Sequence, residues 1–237
     1  MPTSTPVPRT RRAAPRDGET SAEAVARYVR KLIFDGKLEP GRRLPQDEIA
    51  QAVGVSRIPV REAIISLERE GWLRVENHRG AFIFPLDAQA VTDRFALYGR
   101  FYGFAARLAI ERMTPADLRS LEGLAADLAR AKTPAAMERA NIRYLGSVVD
   151  IAASSRLEAV LRSTSQIVPG NFFATAGSMP IQQKGITAMQ AAISARDAEG
   201  AERASVAMQA EQAEAVIAMM TCRRAKAERP GPGWLAD

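Results

Sequence analysis

The sequence predicts a mainly α-helical protein in two parts: a winged helix-turn-helix over residues 20–87 and an all-α helical bundle over 88–224. Three observations carry this. Three helix signals followed by a short alternating pair of strands occupy the first part. Helical periodicity then runs almost unbroken to about residue 222. The charge is also uneven: residues 1–85 hold 15 Lys/Arg against 11 Asp/Glu, whereas 86–237 hold 18 against 16. An anionic partner is expected on the N-terminal side.

Composition bounds the rest. Apolar residues make up 46% of 237, enough to bury a core. The one cysteine, Cys222, excludes a disulfide framework and points to a reducing cytoplasm. No apolar run approaches the roughly 18 residues of a membrane span, and the N-terminus lacks the apolar core of a secretory signal.

Residues 1–19, containing "MPTSTPVPRTRRAAPRDG", are rich in Pro, Thr and Arg without periodicity and are expected to form a flexible basic tail. Thr20 and Glu23 have capping-box spacing. Val25, Val29, Leu32 and Ile33 follow on one helical face, and Gly36 stops the helix. After the turn "LEPGRRL", a short helix turns Ile49, Ala50 and Val53 inward and ends at Gly54. Ser56 is then an N-cap, which puts Arg57, Ile58 and Pro59 in the first turn of a third helix. The N–H groups there have no intrahelical acceptor, so Pro59 removes no bond and presets φ. Val60, Ala63, Ile64 and Leu67 form its buried stripe, leaving Arg57 and Arg61 together on an exposed face. Leu73 and Val75, then Phe82 and Phe84, alternate around "NHRG", which reads as a β-hairpin. From Asp87 onward about six helices are expected, with starts at Thr114-Pro115 (with Asp117), Thr133-Pro134 and Asp197, and a loop at "ATAGSMP". Residues 225–237 are expected to be loose.

A helix with two arginines one turn apart at its N-terminal tip fits the major groove, where a guanidinium reaches guanine O6/N7 or a phosphate. The candidate DNA contacts are therefore Ser56, Arg57, Ile58, Pro59 and Arg61 on the third helix. Arg42, Arg43 and Arg74 are candidates to clamp the backbone, and His78, Arg79 and Gly80 form the wing tip. Taken alone, two helix-surface arginines would be ordinary solvated cations; the order of the surrounding elements gives them a role.

"GVSRIPVREAIISLEREGWL", with "LEPGRRL" and "NHRGAFI", resembles the signature of the GntR family of bacterial transcription regulators over about residues 20–87. "AARLAIERMTPADLRSLEGL" and "AAISARDAEGAERA" resemble its FadR-like (FCD) effector domain. The resemblance implies a homodimer that binds a short inverted repeat and is modulated by a small ligand in the C-terminal bundle.

Many FCD domains also hold a divalent metal through an Asp and three histidines. By the motif, those positions fall here on Asn141, Leu145, Ile186 and Met208. The chain has one histidine, His78, in the wing, so no metal and no cofactor is expected. Asp150, Gln183 and Glu211 offer an oxygen-only alternative nearby. A family glutamate and arginine on the first bundle helix stand here as about Tyr102 and Tyr98. A drier, more apolar pocket follows, suited to an apolar or aromatic effector with one acidic group. Candidates to line or orient it are Arg100, Tyr102, Asn141, Arg143, Tyr144, Leu145, Ile186 and Met208; alternatively the apolar residues simply fill the space.

Catalysis is not expected, because no Gly-rich phosphate loop, second histidine or Cys–His pair is present. A protein-interaction scaffold is the other alternative, and would be marked by an apolar patch in place of the arginines.

Overall fold

The computed structural model describes residues 18–85, 87–164, 172–175 and 177–227. The tails expected at 1–19 and 225–237 lie largely outside them. The described residues up to Pro85 form one compact unit, and those from Asp87 onward form a second.

The first unit begins with α1 (Ser21–Phe34), whose start is fixed by a reciprocal capping box: Glu23 N–H donates to Thr20 Oγ1, and Thr20 N–H to the Glu23 carboxylate at 2.8 Å. α2 (Gln46–Val53) ends at Gly54, whose φ of +81° makes the left-handed turn into α3 (Arg57–Arg69). Val25, Val29 and Leu32 of α1, Ile49 and Val53 of α2, and Val60, Ala63, Ile64 and Leu67 of α3 share one core. β1 (Leu73–Glu76) and β2 (Gly80–Ile83) close it as an antiparallel hairpin.

The hairpin's inward face differs from the expected one. Leu73 pairs with Ile83 and Val75 with Ala81. Leu73, Ala81 and Ile83 are buried, while Val75 and Phe84 are exposed and Phe82 is half-buried. Small Ala81 takes the inward place because the side-chain period of two puts it on the same face as Ile83. The chain at 41–44 adds a partial third strand: Gly41 N–H donates to Ile83 O, Ile83 N–H to Arg42 O, and Leu44 N–H to Ala81 O, all at 2.8–2.9 Å.

In the second unit six α-helices follow one another: α4 (Ala88–Arg112), α5 (Pro115–Ala129), α6 (Pro134–Ala152), α7 (Ser155–Thr164), α8 (Ser178–Ser194) and α9 (Ala198–Ala227). Side-chain caps set four of the starts. Asp87 accepts from Ala90 N–H, Thr114 from Asp117 N–H within a second capping box, Thr133 from Ala136 N–H, and Asp197 from Gly200 N–H. The expected loop at 174–180 is shorter than read. A 3-10 turn covers Phe172–Ala174, and α8 already begins at Ser178, so Met179 and Pro180 are helical. Pro180 is tolerated because it lies in the first turn. α4 packs on α9 and α6, and α8 packs antiparallel on α9. Among the described residues no helix is long and apolar enough to cross a membrane.

Candidate nucleic-acid interface and bundle interior

The tip of α3 projects cations because its apolar stripe begins one turn in. Val60, Ala63, Ile64 and Leu67 are buried, so Arg57, Ile58 and Arg61 face solvent, Ile58 at 69% exposure. Ser56 occupies the N-cap position as expected, but its side chain makes no capping bond. Its exposed hydroxyl and the first-turn N–H groups give this end donors and a positive dipole.

The arginines are not equivalent. Arg57 is held in a two-pronged ion pair by Asp47 of α2, Nε to Oδ1 at 2.7 Å and Nη2 to Oδ2 at 2.8 Å. Arg61 is exposed and has no ion pair or hydrogen bond from its side chain among the described residues. Arg42 pairs with Glu39 at 3.1 Å. Glu76 takes both Arg74, at 2.8 Å, and Arg79, at 2.6 Å, while the Arg79 guanidinium lies 5.8 Å from the Phe82 ring centre. Arg43 lies against Gly80: at φ +106°, a Cβ there would stand 2.8 Å from Arg43 Nε. His78 sits exposed at the wing tip with φ +61°, a conformation that His tolerates better than most residues. Sequence reasoning missed the acidic partners. Asp47 lies ten residues before Arg57, across the turn between two helices, and no local spacing rule links such positions.

In the bundle, the residues at the family's metal positions do not suit a divalent ion. Leu145, Ile186 and Met208 are buried and carry no hard donor. Asn141 Oδ1 already accepts from Gln182 Nε2 at 2.7 Å. Gln212 Nε2 continues the chain, donating to Gln182 Oε1 at 3.2 Å and to Ser178 O at 2.9 Å. Amides thus link α6, α8 and α9. Gln182 and Gln212 lie one turn from Ile186 and Met208, in opposite directions along antiparallel helices. That spacing was the signal by which they could have been found.

The oxygen-only alternative is not gathered either. Gln183 Nε2 donates to Ala129 O and Ala131 O, Glu211 pairs with Lys184 at 2.8 Å, and Asp150 is exposed. Among the described residues no group of three or more His, Cys, Asp or Glu is placed to hold an ion.

The candidate effector residues separate in the structure. Tyr144 is buried and donates to Gln190 Oε1 at 2.9 Å, and burial pushes its phenol pKa up. Tyr102 packs edge-on against Tyr98 with ring centres 4.7 Å apart; burial raises both, most strongly Tyr98. Arg100 is exposed, and Arg143 is an exposed residue 3.6 Å from Asp127, so neither lies among the buried amides. Their long side chains remain in water because α4 and α6 turn their apolar faces inward at those points.

Comparison with known proteins bears on both units. Residues 21–83 match "Bacterial regulatory proteins, gntR family", and residues 101–211 match the FCD domain. The chain thus carries a gntR-type helix-turn-helix domain followed by an FCD domain. An HTH-type transcriptional regulator of Mycobacterium tuberculosis is 32% identical over 158 residues, covering 67% of this chain and 65% of that protein. The chain thus matches just under two thirds of that relative's length. The Nta operon transcriptional regulator of Aminobacter aminovorans is 35% identical over 82 residues, 35% of this chain and 39% of that one. Among solved structures, the E. coli protein McbR/YncC shares the fold with a TM-score of 0.59 at 22% identity, over 86% of this chain and 99% of that one. A GntR family member from Pseudomonas syringae pv. tomato gives 0.53 at 24%, over 87% and 89%. The Mycobacterium, Aminobacter and Pseudomonas proteins are described as transcriptional regulators, not enzymes.

Proposed function

We propose that this chain is a cytoplasmic, sequence-specific DNA-binding transcription regulator of the gntR family that grips a short palindromic operator as a homodimer. The observation that carries this is the exposed cationic tip of α3, with Arg57 and Arg61 one turn apart beside a wing that bears Arg74, His78 and Arg79. Ser56 and the backbone N–H groups of the first turn meet phosphate, and Arg61 reads a base edge. Ile58 and Pro59 supply apolar contact, for which a thymine methyl is the natural partner. Arg42, Arg43 and the wing through Gly80 hold the flanking backbone. A single winged helix makes few contacts, and a two-fold pair doubles them and makes the site palindromic. Repression by blocking polymerase is the regulatory sense this arrangement favours.

The test is selection of bound fragments from a random duplex pool, followed by gel shifts. An inverted repeat bound at roughly 10⁻⁸–10⁻¹¹ M is expected. Failure to retain any duplex at low ionic strength would end the proposal.

The bundle takes a small effector, apolar or aromatic, near Asn141, which changes the mobility of the winged domains through the segment before α4. A second reading is favoured by a specific contact: Met208 packs directly on Gly185, and Leu145 and Ile186 are fully buried, so these side chains fill the interior and regulation is ligand-independent. A thermal-shift screen of small acids and aromatics, read together with operator release, separates the two.

A further inference from the structure

The buried stripe of α3 fixes which of its side chains point straight away from the core. Val60, Ala63, Ile64 and Leu67 form that stripe. At about 3.6 residues per turn, Ile58, Glu62 and Ile65 lie within about 30° of the opposite direction, while Arg61 stands about 70° round from it. All three are exposed, Ile65 at 52%. The outermost row of the helix proposed to enter the groove is therefore apolar, acidic, apolar.

The carboxylate in the middle of that row differs from those around it. Asp47 is engaged by Arg57, Glu39 by Arg42, Glu76 by Arg74 and Arg79, and Glu68 by the Val75 N–H. Glu62 has no ion pair and no hydrogen bond from its side chain among the described residues. Its own helix offers no cation to pair with. The positions three and four away are Ile58, Pro59, Ile65 and Ser66, and Arg61, next in sequence, faces elsewhere. Arg69 is two turns on, roughly 10 Å along the axis.

A bare carboxylate among phosphates is repelled unless it meets a donor. It is acceptor-only, and base edges answer it differently. Guanine presents O6 and N7 and thymine O4, all acceptors. Adenine sets the N7 acceptor beside its N6 donor. Cytosine presents its N4 amino group with no acceptor of its own beside it.

We propose that Glu62 is a specificity-determining residue: it accepts a hydrogen bond from the N4 amino group of one cytosine per half-site and rejects acceptor-bearing edges at that position. This rests on the reading of α3 as the helix that enters the major groove, and adds the base that its outermost row selects. Ile58 and Ile65, one turn to either side, keep water from the carboxylate, which strengthens both the attraction and the repulsion. Selectivity then comes as much from refusal as from affinity.

The test uses the full chain. Selection from a random pool with the wild type is expected to enrich one C·G pair per half-site that selection with Glu62→Ala leaves degenerate, the rest of the motif being kept. In competition gel shifts, wild-type discrimination at that pair should be roughly ten- to hundredfold and should fall below about threefold in Glu62→Ala. Pyrimidin-2-one in place of that cytosine keeps the ring and lacks the amino group. It should weaken wild-type binding by roughly tenfold and leave that of Glu62→Ala unchanged. Because Glu62 is exposed, the variant should keep the wild-type helical circular dichroism. A Glu62→Ala protein that enriches the wild-type motif with undiminished discrimination, or that weakens on all duplexes alike, overturns the assignment. So does wild-type binding indifferent to pyrimidin-2-one, which needs no variant. Each of these leaves DNA binding standing. A wild-type chain that enriches no motif overturns the DNA-binding reading and the role of Glu62 with it.

Discussion

At the scale of single residues, the candidate interface divides its arginines into held and free. Asp47 takes both prongs of Arg57, and no partner holds Arg61 among the described residues. A free guanidinium moves to a base edge without first exchanging an ion pair. Arg61→Ala is therefore expected to cost about 1–3 kcal/mol of operator binding and to relax preference at one base pair per half-site. Competition gel shifts with single-base operator variants measure this; uniform weakening across all sequences would assign Arg61 to a phosphate. Asp47→Asn keeps the shape but removes a carboxylate from a surface proposed to meet phosphates. Non-specific duplex binding should then tighten by about two- to fivefold, the scale of an exposed ion pair, and the dependence on salt should steepen. Fluorescence titrations at several salt concentrations would show it, and unchanged binding would remove Asp47 from the interface. The positions of the arginines follow from helix periodicity and a proline in the first turn, and so they are visible in the sequence. Their acidic partners are not, because Asp47, Glu76 and Glu39 reach them across turns whose geometry exists only once the unit is packed.

Helices and strands were legible in proportion to their punctuation. Thr20/Glu23 and Thr114/Asp117 announce helix starts, and both form capping boxes. The hairpin's existence was visible from "NHRG", but its inward face was not. The bulk of Phe82 and Phe84 suggested the wrong face, whereas Ala81 is buried because it shares the inward face with Ile83. The capping box of α5 also yields a prediction. Hydrogen bonds from Thr114 hold the exposed Asp117 carboxyl below its ordinary value. A depressed folded pKa means that the contribution is complete above the ordinary carboxylate range and fades as pH falls through the lowered value. Thr114→Ala should therefore destabilise at neutral pH and lose most of its effect in acid, as read by denaturant unfolding at both ends of the range. In the bundle, a methyl at Gly185 would overlap Met208 from Cβ to Sδ. Gly185→Ala should cost roughly 1–3 kcal/mol by overpacking. Combined with Met208→Ala, the loss should be smaller than the sum of the two single changes. Additive losses would mean the two side chains do not share the space.

For the molecule as a whole, two units with different chemistry share one chain. The N-terminal unit builds a conventional core and keeps charge at its surface, with one exception: Arg30 and Glu70, both nearly fully buried, stand 3.5 Å apart between α1 and α3. Burial pulls the Arg30 pKa down, and Glu70 opposes that shift. Removing Glu70 takes away the strongest opposing charge beside a buried guanidinium, so Glu70→Ala should cost about 3–5 kcal/mol, measured as a lowered unfolding midpoint of the full chain. The division into two units was legible as a change of periodicity at Asp87. The amide chain through Asn141, Gln182 and Gln212 was legible only in the one-turn spacing of its glutamines from Ile186 and Met208, since a glutamine on an amphipathic helix otherwise looks like surface until its neighbours are known.

The hairpin's two flanks carry one more consequence. On one side the 41–44 strap satisfies β2, and on the other the Glu68 carboxylate accepts Val75 N–H at 2.9 Å. A two-stranded ribbon thrust into solvent would otherwise offer its rim to any stray extended peptide, and many copies crowded along one duplex would invite fibrous self-templating. With one rim strapped and the Val75 N–H of the other already taken, the wing presents a poorer template for such growth.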